Sequence, residues 1–291
     1  MSALRLGIDV GGTKTALALV DTDTGEIVAA TTLPTNARAG AQQLFDRLRA
    51  PVEQLRASVA EPVAVGVGLP ELVAPNGEVL SDVVVPGLVG DLVEAWADLG
   101  VVQVEADVRA AARAEARFGH GRGRASFAYV SVGTGISSCL VIEGVPWTGE
   151  HGAAILLGSG VLVTGAAEGE GSSSLEEYAG GPALLRQFRS RGGVAETAEE
   201  LLALAEDDAD ARHVVTTAGT ALGRGIAALV DLLDPQAVVV GGGLGTAPGR
   251  YWQAAVDATR TGIWADACRD LPVLQAATGT QAGVIGAALP R

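Results

Sequence analysis

Residues 4–19, Leu-Arg-Leu-Gly-Ile-Asp-Val-Gly-Gly-Thr-Lys-Thr-Ala-Leu-Ala-Leu, place a carboxylate, two glycines and a hydroxyl in a turn between two apolar runs. That combination suits a polyphosphate. Gly11 and Gly12 let backbone N–H groups approach phosphate oxygens, Thr13 adds a hydroxyl donor, and Lys14 brings positive charge. Asp9, at the strand end, is placed to hold a magnesium ion through water. Lys14 is also the only lysine of the chain. The same residues suit a plain hairpin turn equally well, so the rest of the sequence has to decide between the two.

Outward from this turn, Leu4–Asp9 and Thr15–Val20 read as paired strands, with a third near Glu26–Thr31. Leu44, Leu48, Val52 and Leu55 recur at spacings of three and four, which predicts a helix from about Gly40 to Ser58, kinked or divided at Pro51. Val63–Leu69 is a nearly continuous apolar run, as expected of a strand buried on both faces. Val101–Glu105 reads as another strand. It stops at Ala106-Asp107, and the alanine-rich stretch Val108–Arg117 is a strong helix former. The pattern then restarts: strand Phe127–Val132, glycine turn Gly133-Thr134-Gly135, strand Ser138–Glu143. This repeat predicts two domains of one design, 1–118 and 119–279, with a connector at Gly119–Arg124, and the last segment, 280–291, reads as a closing helix. Further on, Ala166–Ser174 reads as a mobile polar loop, and helical periodicity runs from Leu175 to Leu233. Asp234-Pro235 ends it, Ala237–Val240 forms a strand, and Gly241-Gly-Gly-Leu-Gly245 opens a loop before a helix near Pro248.

Composition narrows the partners. With 34 acidic against 20 basic side chains, the net charge of -14 argues against nucleic acid or an anionic membrane as the main partner. Cys139 and Cys268 are the only cysteines, too few for a zinc cluster, and the three histidines are not closely paired. No apolar run reaches membrane length, and the sequence enters its first strand without an apolar leader, so a cytoplasmic protein is expected.

Taken together, Asp9-Val-Gly-Gly-Thr-Lys14, Gly133-Thr-Gly135 and Asp234-Pro235 followed by Gly241-Gly-Gly243 resemble the ROK family of sugar kinases and repressors, within the actin-like ATPase superfamily. Pro86-Gly87, Asp107 with its alanine-rich helix, Gly144–Gly149, Leu175–Ala179, Gly223–Val230 and Ala282–Ala288 follow in family order. The resemblance implies an α/β protein of two ribonuclease-H-like domains, with ATP in the cleft between them and the last helix, 280–291, joining the first domain, 1–118. Gly11, Gly12, Thr13 and Lys14 with Gly133, Thr134 and Gly135 would hold the β- and γ-phosphates, and Gly241, Gly242 and Gly243 would lie against the adenosine. It also implies a magnesium ion held by Asp9 through water, a homodimer, and Asp107 as the catalytic base that takes the proton of the attacking hydroxyl. A helix cap at the start of Val108–Arg117 would place Asp107 there too.

The resemblance has gaps where the family binds its sugar. Ala106 replaces an asparagine, Leu156 a glutamate and Ser159 a histidine, the zinc-binding cysteines are missing, and only Asp107 and Glu176 remain of five expected polar contacts. Each lost hydrogen bond is worth about 0.5–1.5 kcal/mol, more where charge is involved, so ordinary glucokinase activity is not expected. Glu71, in place of glycine, and Arg109, in place of a second asparagine, read either as solvated surface or as replacement contacts. A pocket-facing Glu71 would suit an amine. The expected function is therefore an ATP-dependent kinase for a hydroxylated small molecule such as an amino sugar or cyclitol. The alternatives are a glucokinase with a rebuilt pocket and an inactive ligand-binding sensor. A repressor is disfavoured, because a phosphate motif starting at Gly7 leaves no room for a helix-turn-helix before it.

Overall fold

The computed structural model describes residues 4–61, 63–160, 162–163 and 173–291. These fall into two compact units. One comprises the chain up to Gly123 with Gly144–Ala154 and Gln281–Arg291, and the other comprises Arg124–Glu143 and Ile155–Thr280.

In the first unit, β1 (Leu4–Val10) and β2 (Lys14–Asp21) form an antiparallel hairpin closed by the pair Val10↔Thr15. β3 (Ile27–Pro34) continues it on one side, while β4 (Val65–Leu69) and β5 (Val101–Ala106) add in parallel on the other, giving the order β3-β2-β1-β4-β5. The central strands are apolar on both faces, so Leu6, Ile8, Val10, Val65 and Val67 are fully buried. α1 (Gly40–Ala57) covers the sheet with Leu44, Leu48, Val52 and Leu55, at the predicted spacing. It runs unbroken through Pro51, contrary to expectation. Neither Pro51 nor Arg47, whose carbonyl has no Pro51 N–H to accept, is on the buried stripe. α2 (Leu92–Ala95), capped by Asp91, leads into β5, and α3 (Asp107–Phe118) leaves β5 directly.

The second unit repeats the hairpin: β6 (Ser126–Val132) pairs antiparallel with β7 (Ile136–Ile142). β8 (Val145–Pro146) then returns to the first unit. Next come α4 (Leu157–Gly160), the short strands β9 (Leu162–Val163) and β10 (Ser173–Ser174), α5 (Leu175–Ala179), α6 (Gly181–Ser190), α7 (Ala198–Leu204) and the long α8 (Ala209–Leu233). Most of the Ala166–Ser174 loop, and with it the expected mobility, lies outside the described residues. β11 (Val238–Gly241) adds in parallel to β6, α9 (Arg250–Gly262) follows, and β12 (Val273–Gln275), not anticipated, adds in parallel to β11. The strand plan is that of the first unit: a hairpin whose leading strand accepts two successive parallel neighbours.

Contacts group two segments with the first unit: Gly144–Ala154, expected within 119–279, and Gln281–Arg291, expected to join 1–118. Gly144–Ala154, assigned to the second domain, packs in the first unit, where Arg109 Nη1 donates to Gly152 O at 2.9 Å. α10 (Ala282–Ala288) closes the first unit by packing backbone to backbone. A Cβ on Gly7 would fall 2.0 Å from Val284 O, one on Gly66 1.9 Å from Ala287 O, and one on Gly286 1.7 Å from Ala110 O. Glycine at these positions lets the helix lie against β1, β4 and α3 at a distance no side chain permits.

Candidate active site

In the first unit the site begins at the end of β1. Asp9 faces Ala16 across the hairpin and Gly68 in β4. Its carboxylate lies over α10: a Cβ on Gly283 would fall 2.3 Å from Oδ2, and one on Gly68 3.6 Å from Oδ1 and 3.7 Å from Asp107 Cα. Gly68 thus lets two carboxylate-bearing residues share one corner. Burial pushes the Asp9 carboxyl up to about 6 against the pull of Lys14. A desolvated carboxylate of this kind gains from a nearby cation, so Asp9 fits a magnesium site.

The turn after Asp9 spends one donor on itself, because Gly11 N–H bonds Lys14 O at 3.0 Å. Gly12, Thr13 and Lys14 are exposed. Thr35, just past β3, clamps the turn. Its N–H donates to Thr13 O at 2.9 Å, its hydroxyl to Gly11 O at 2.7 Å, and Thr15 Oγ1 is 2.9 Å from that hydroxyl. Sequence reasoning missed Thr35, which belongs to no motif and acts only through strand pairing.

Asp107 is the first residue of α3, half-buried, with Oδ1 accepting the Val108 N–H at 2.6 Å. Burial, then the negative charge of Asp9, raises its carboxyl to about 7. The Val108 N–H and Arg109 oppose the shift, and Glu71 adds to it. A carboxylate titrating near neutrality at a strand-to-helix junction is matched to general-base work. Ala106 beside it is fully buried and offers no side-chain hydrogen bond.

Glu71 and Arg109 are not solvated surface: both are buried, and their polar atoms already have partners within the first unit. Glu71 is 4% exposed, and both oxygens are taken. Oε2 accepts the Ser81 hydroxyl at 2.6 Å and Val83 N–H at 3.0 Å, and Oε1 accepts Val84 N–H at 2.6 Å and Val85 N–H at 2.9 Å. With four donors already aimed at it, this carboxylate has no room for a substrate amine. Arg109 is fully buried, with Nε on Glu105 at 2.5 Å, Nη1 on Gly152 O and Nη2 on Val73 O at 2.5 Å. Glu105 also pairs with Arg113 at 3.0 Å and Arg291 at 3.3 Å. Its burial would raise its pKa, but the guanidiniums of Arg109, Arg291 and Arg113 outweigh that and hold the carboxyl below its ordinary range.

In the second unit, Gly133 N–H bonds Gly135 O at 2.9 Å, and Gly133 O accepts Gly181 N–H at 2.8 Å. Thr134 and Gly135 are exposed. Glu176, half-buried, directs Oε2 at Ile136 N–H, 2.8 Å away, and so braces the turn from α5. The glycine loop after β11 meets the same turn. Leu244 and Gly245 N–H donate to Val132 O at 3.0 and 3.1 Å, and a Cβ on Gly133 would lie 4.0 Å from Gly243 N. Gly242 has φ +80 and Gly241 packs against the Tyr129 ring, so neither position admits a side chain. Gln275, also missed, fixes the loop by donating to Gly245 O at 3.2 Å and Ala247 O at 3.3 Å.

Two α/β units of one strand plan, each with a glycine turn on its leading hairpin, define the two-domain actin-like ATPase fold. A ROK family glucokinase from Streptomyces griseus, solved with glucose and AMPPNP, superposes with a TM-score of 0.82 at 27% identity, covering 98% of each chain. The glucokinase of Streptomyces coelicolor is 33% identical over 270 residues, covering 83% of this chain and 82% of its own. The kanosamine kinase of Amycolatopsis mediterranei is 29% identical over 260 residues, covering 82% and 80%. The family pattern itself matches residues 5–289: the chain belongs to the ROK family.

Proposed function

We propose that this protein is a sugar kinase that transfers the γ-phosphoryl group of ATP to a hydroxyl of a sugar or sugar-like small molecule. The observation that carries the reading is the shared corner at Gly68, where a Cβ would lie 3.6 Å from Asp9 Oδ1 and 3.7 Å from Cα of Asp107, the half-buried first residue of α3. With Oδ1 held by Val108 N–H, Oδ2 is the atom that takes the proton as the acceptor oxygen attacks. In the first unit, Gly12, Thr13 and Lys14 offer donors and charge to phosphate oxygens. In the second, Thr134 and Gly135 do the same with backbone N–H groups, and Gly241–Gly243 receive the nucleoside. Asp9 would hold magnesium through water, and that ion supplies charge neutralisation at the phosphates.

For the acceptor we favour an amino sugar or cyclitol over glucose. Ala106, Leu156 and Ser159 stand where the family pattern has an amide, a carboxylate and an imidazole, and one relative is named for an amino sugar. The glucokinase relative keeps plain glucose as the second reading. A cytoplasmic homodimer belongs to the same proposal. The test is magnesium-dependent ADP release across glucose, kanosamine, N-acetylmannosamine and aminocyclitols. We expect turnover with at least one and a fall of about 10²–10⁴-fold in kcat for Asp107→Asn. Full activity in that variant removes Asp107 as the base.

A further inference from the structure

Glu71 and Arg109 are buried charges: Glu71 accepts three backbone N–H groups and the Ser81 hydroxyl, and Arg109 donates to two backbone carbonyls and to Glu105. Burying a charge costs several kcal/mol unless hydrogen bonds compensate, so four donors on one and three acceptors on the other mark sites where the fold depends on a fixed arrangement. Both act on the same stretch, Leu72–Gly90, which is irregular apart from the bridges Val73↔Val79 and Val79↔Gly90.

Arg109 projects from the first turn of α3, two residues past Asp107, and bolts that turn to Val73 O and Gly152 O. Gly152 has φ +74, and a Cβ there would sit 2.1 Å from Val73 O, so the backbones of these two segments touch. Glu71 gathers three successive N–H groups at Val83–Val85, and this brings Val84 Cγ1 to 3.8 Å from a Cβ placed on Gly12. One end of the stretch is therefore fixed to the helix bearing Asp107, and the other to the turn that follows Asp9.

We infer that Arg109 and Glu71 are positioning residues that hold 72–85 as a preformed wall between Asp107 and the Gly11–Lys14 turn, and thereby set acceptor affinity. The inference rests on the kinase reading for its functional half and on geometry alone for its structural half. A lysine cannot replace Arg109, because one ammonium cannot reach three divergent acceptors as a planar fork does.

Arg109→Met, Arg109→Lys and Glu71→Gln are compared with wild type by amide hydrogen exchange and by steady-state kinetics with glucose and kanosamine as acceptors, all well below the measured Tm of each variant. In both Arg109 variants, exchange at 72–80 and 148–154 is expected to rise at least tenfold, with Val83–Val85 still protected. Glu71→Gln is expected to show the converse. The acceptor KM should rise at least tenfold while the ATP KM moves less than twofold. Exchange that rises throughout the first unit, or nowhere, overturns the wall. Local exchange with both KM values shifted equally, or neither shifted, overturns the positioning role. If the wild type turns over neither sugar, the kinase reading is what fails for these acceptors, and the location of the exchange alone upholds or overturns the wall.

Discussion

The Gly11–Lys14 turn and the Gly133–Gly135 turn occupy equivalent places in the two units, yet they are built differently. Each spends its first N–H on its own last residue, at 3.0 Å in one and 2.9 Å in the other. The first is one residue longer between its closing pairs, Val10↔Thr15 against Val132↔Ile136. Its extra length carries Lys14, and the residue before Val10 is Asp9, whereas Ser131 holds the corresponding place in the second hairpin. The first turn is secured by neutral threonine hydroxyls, and the second by a carboxylate, Glu176, on Ile136 N–H. The difference teaches a division of labour. Under the proposed function, full charges for a metal and for phosphate belong to the first turn, and the second has only backbone N–H groups and the Thr134 hydroxyl to offer.

That division can be broken most severely at α10. Gly283→Ala drives a methyl to within 2.3 Å of Asp9 Oδ2, and misplacement of about 1 Å at a reacting group can cost 10²-fold, so kcat at a temperature where the variant stays folded should fall about 100-fold, with Tm lowered as well because overpacking costs about 1–3 kcal/mol. Unchanged turnover would show that the position of Asp9 does not matter and undo the asymmetry.

The next largest effect is expected at Glu176. Removing a charged acceptor from a backbone donor costs about 1.5–3 kcal/mol, so Glu176→Ala should raise the ATP KM roughly tenfold. Thr35→Val, which removes neutral bonds of about 0.5–1.5 kcal/mol, should raise it only about threefold. Steady-state ATP titrations of both variants rank the two clamps, and the reverse order contradicts the comparison. If Glu176→Ala alters only the acceptor KM, Glu176 returns to the sugar-contact role that the family pattern suggests.

The smallest effect is on stability. Asp9 and Asp107 have folded-state pKa values of about 6 and about 7, above the ordinary 3.8, so between pH 4 and 7 the folded state binds more protons than the unfolded state. Their contribution is complete below pH 4 and is lost as pH rises through 6 and 7. Asp107→Asn should therefore show a flatter Tm between pH 4 and 8 and a Tm a few degrees above wild type at pH 8. An unaltered slope would mean that Asp107 is not desolvated.

The sequence-legible part of the candidate site is the part encoded locally. Asp9, Gly11–Lys14, Gly133–Gly135, Gly241–Gly243 and Asp107 each sit at a strand end followed by a change of period, and such junctions are visible in a single sequence. Thr35, Gln275 and the buttressing by Glu176 depend on partners 24, 30 and 40 residues away, and no local pattern reports them. Glu71 and Arg109 stand out in the sequence as either solvated surface or replacement contacts, and their burial removes the first of these. A charged residue in an apolar neighbourhood looks like a substrate contact until its backbone partners are known, and those partners come from loops with no periodicity. Three-residue β12 was too short to register, and Pro51 gave too strong a warning because its cost depends on which side of the helix it faces.

The backbone packing of α10 on Gly7, Gly66 and Gly286 bears on how the protein is made. The floor beneath Asp9 is supplied by Gly283, 274 residues after Asp9 itself. At about 5–20 residues per second, a ribosome takes roughly 15–60 s to reach it. During that interval the first unit exists as a sheet missing one of its covering helices, with no floor beneath Asp9. An interrupted chain would therefore carry the recognisable phosphate turn without the means to use it, and only a chain translated through Ala288 can complete the corner around Asp9.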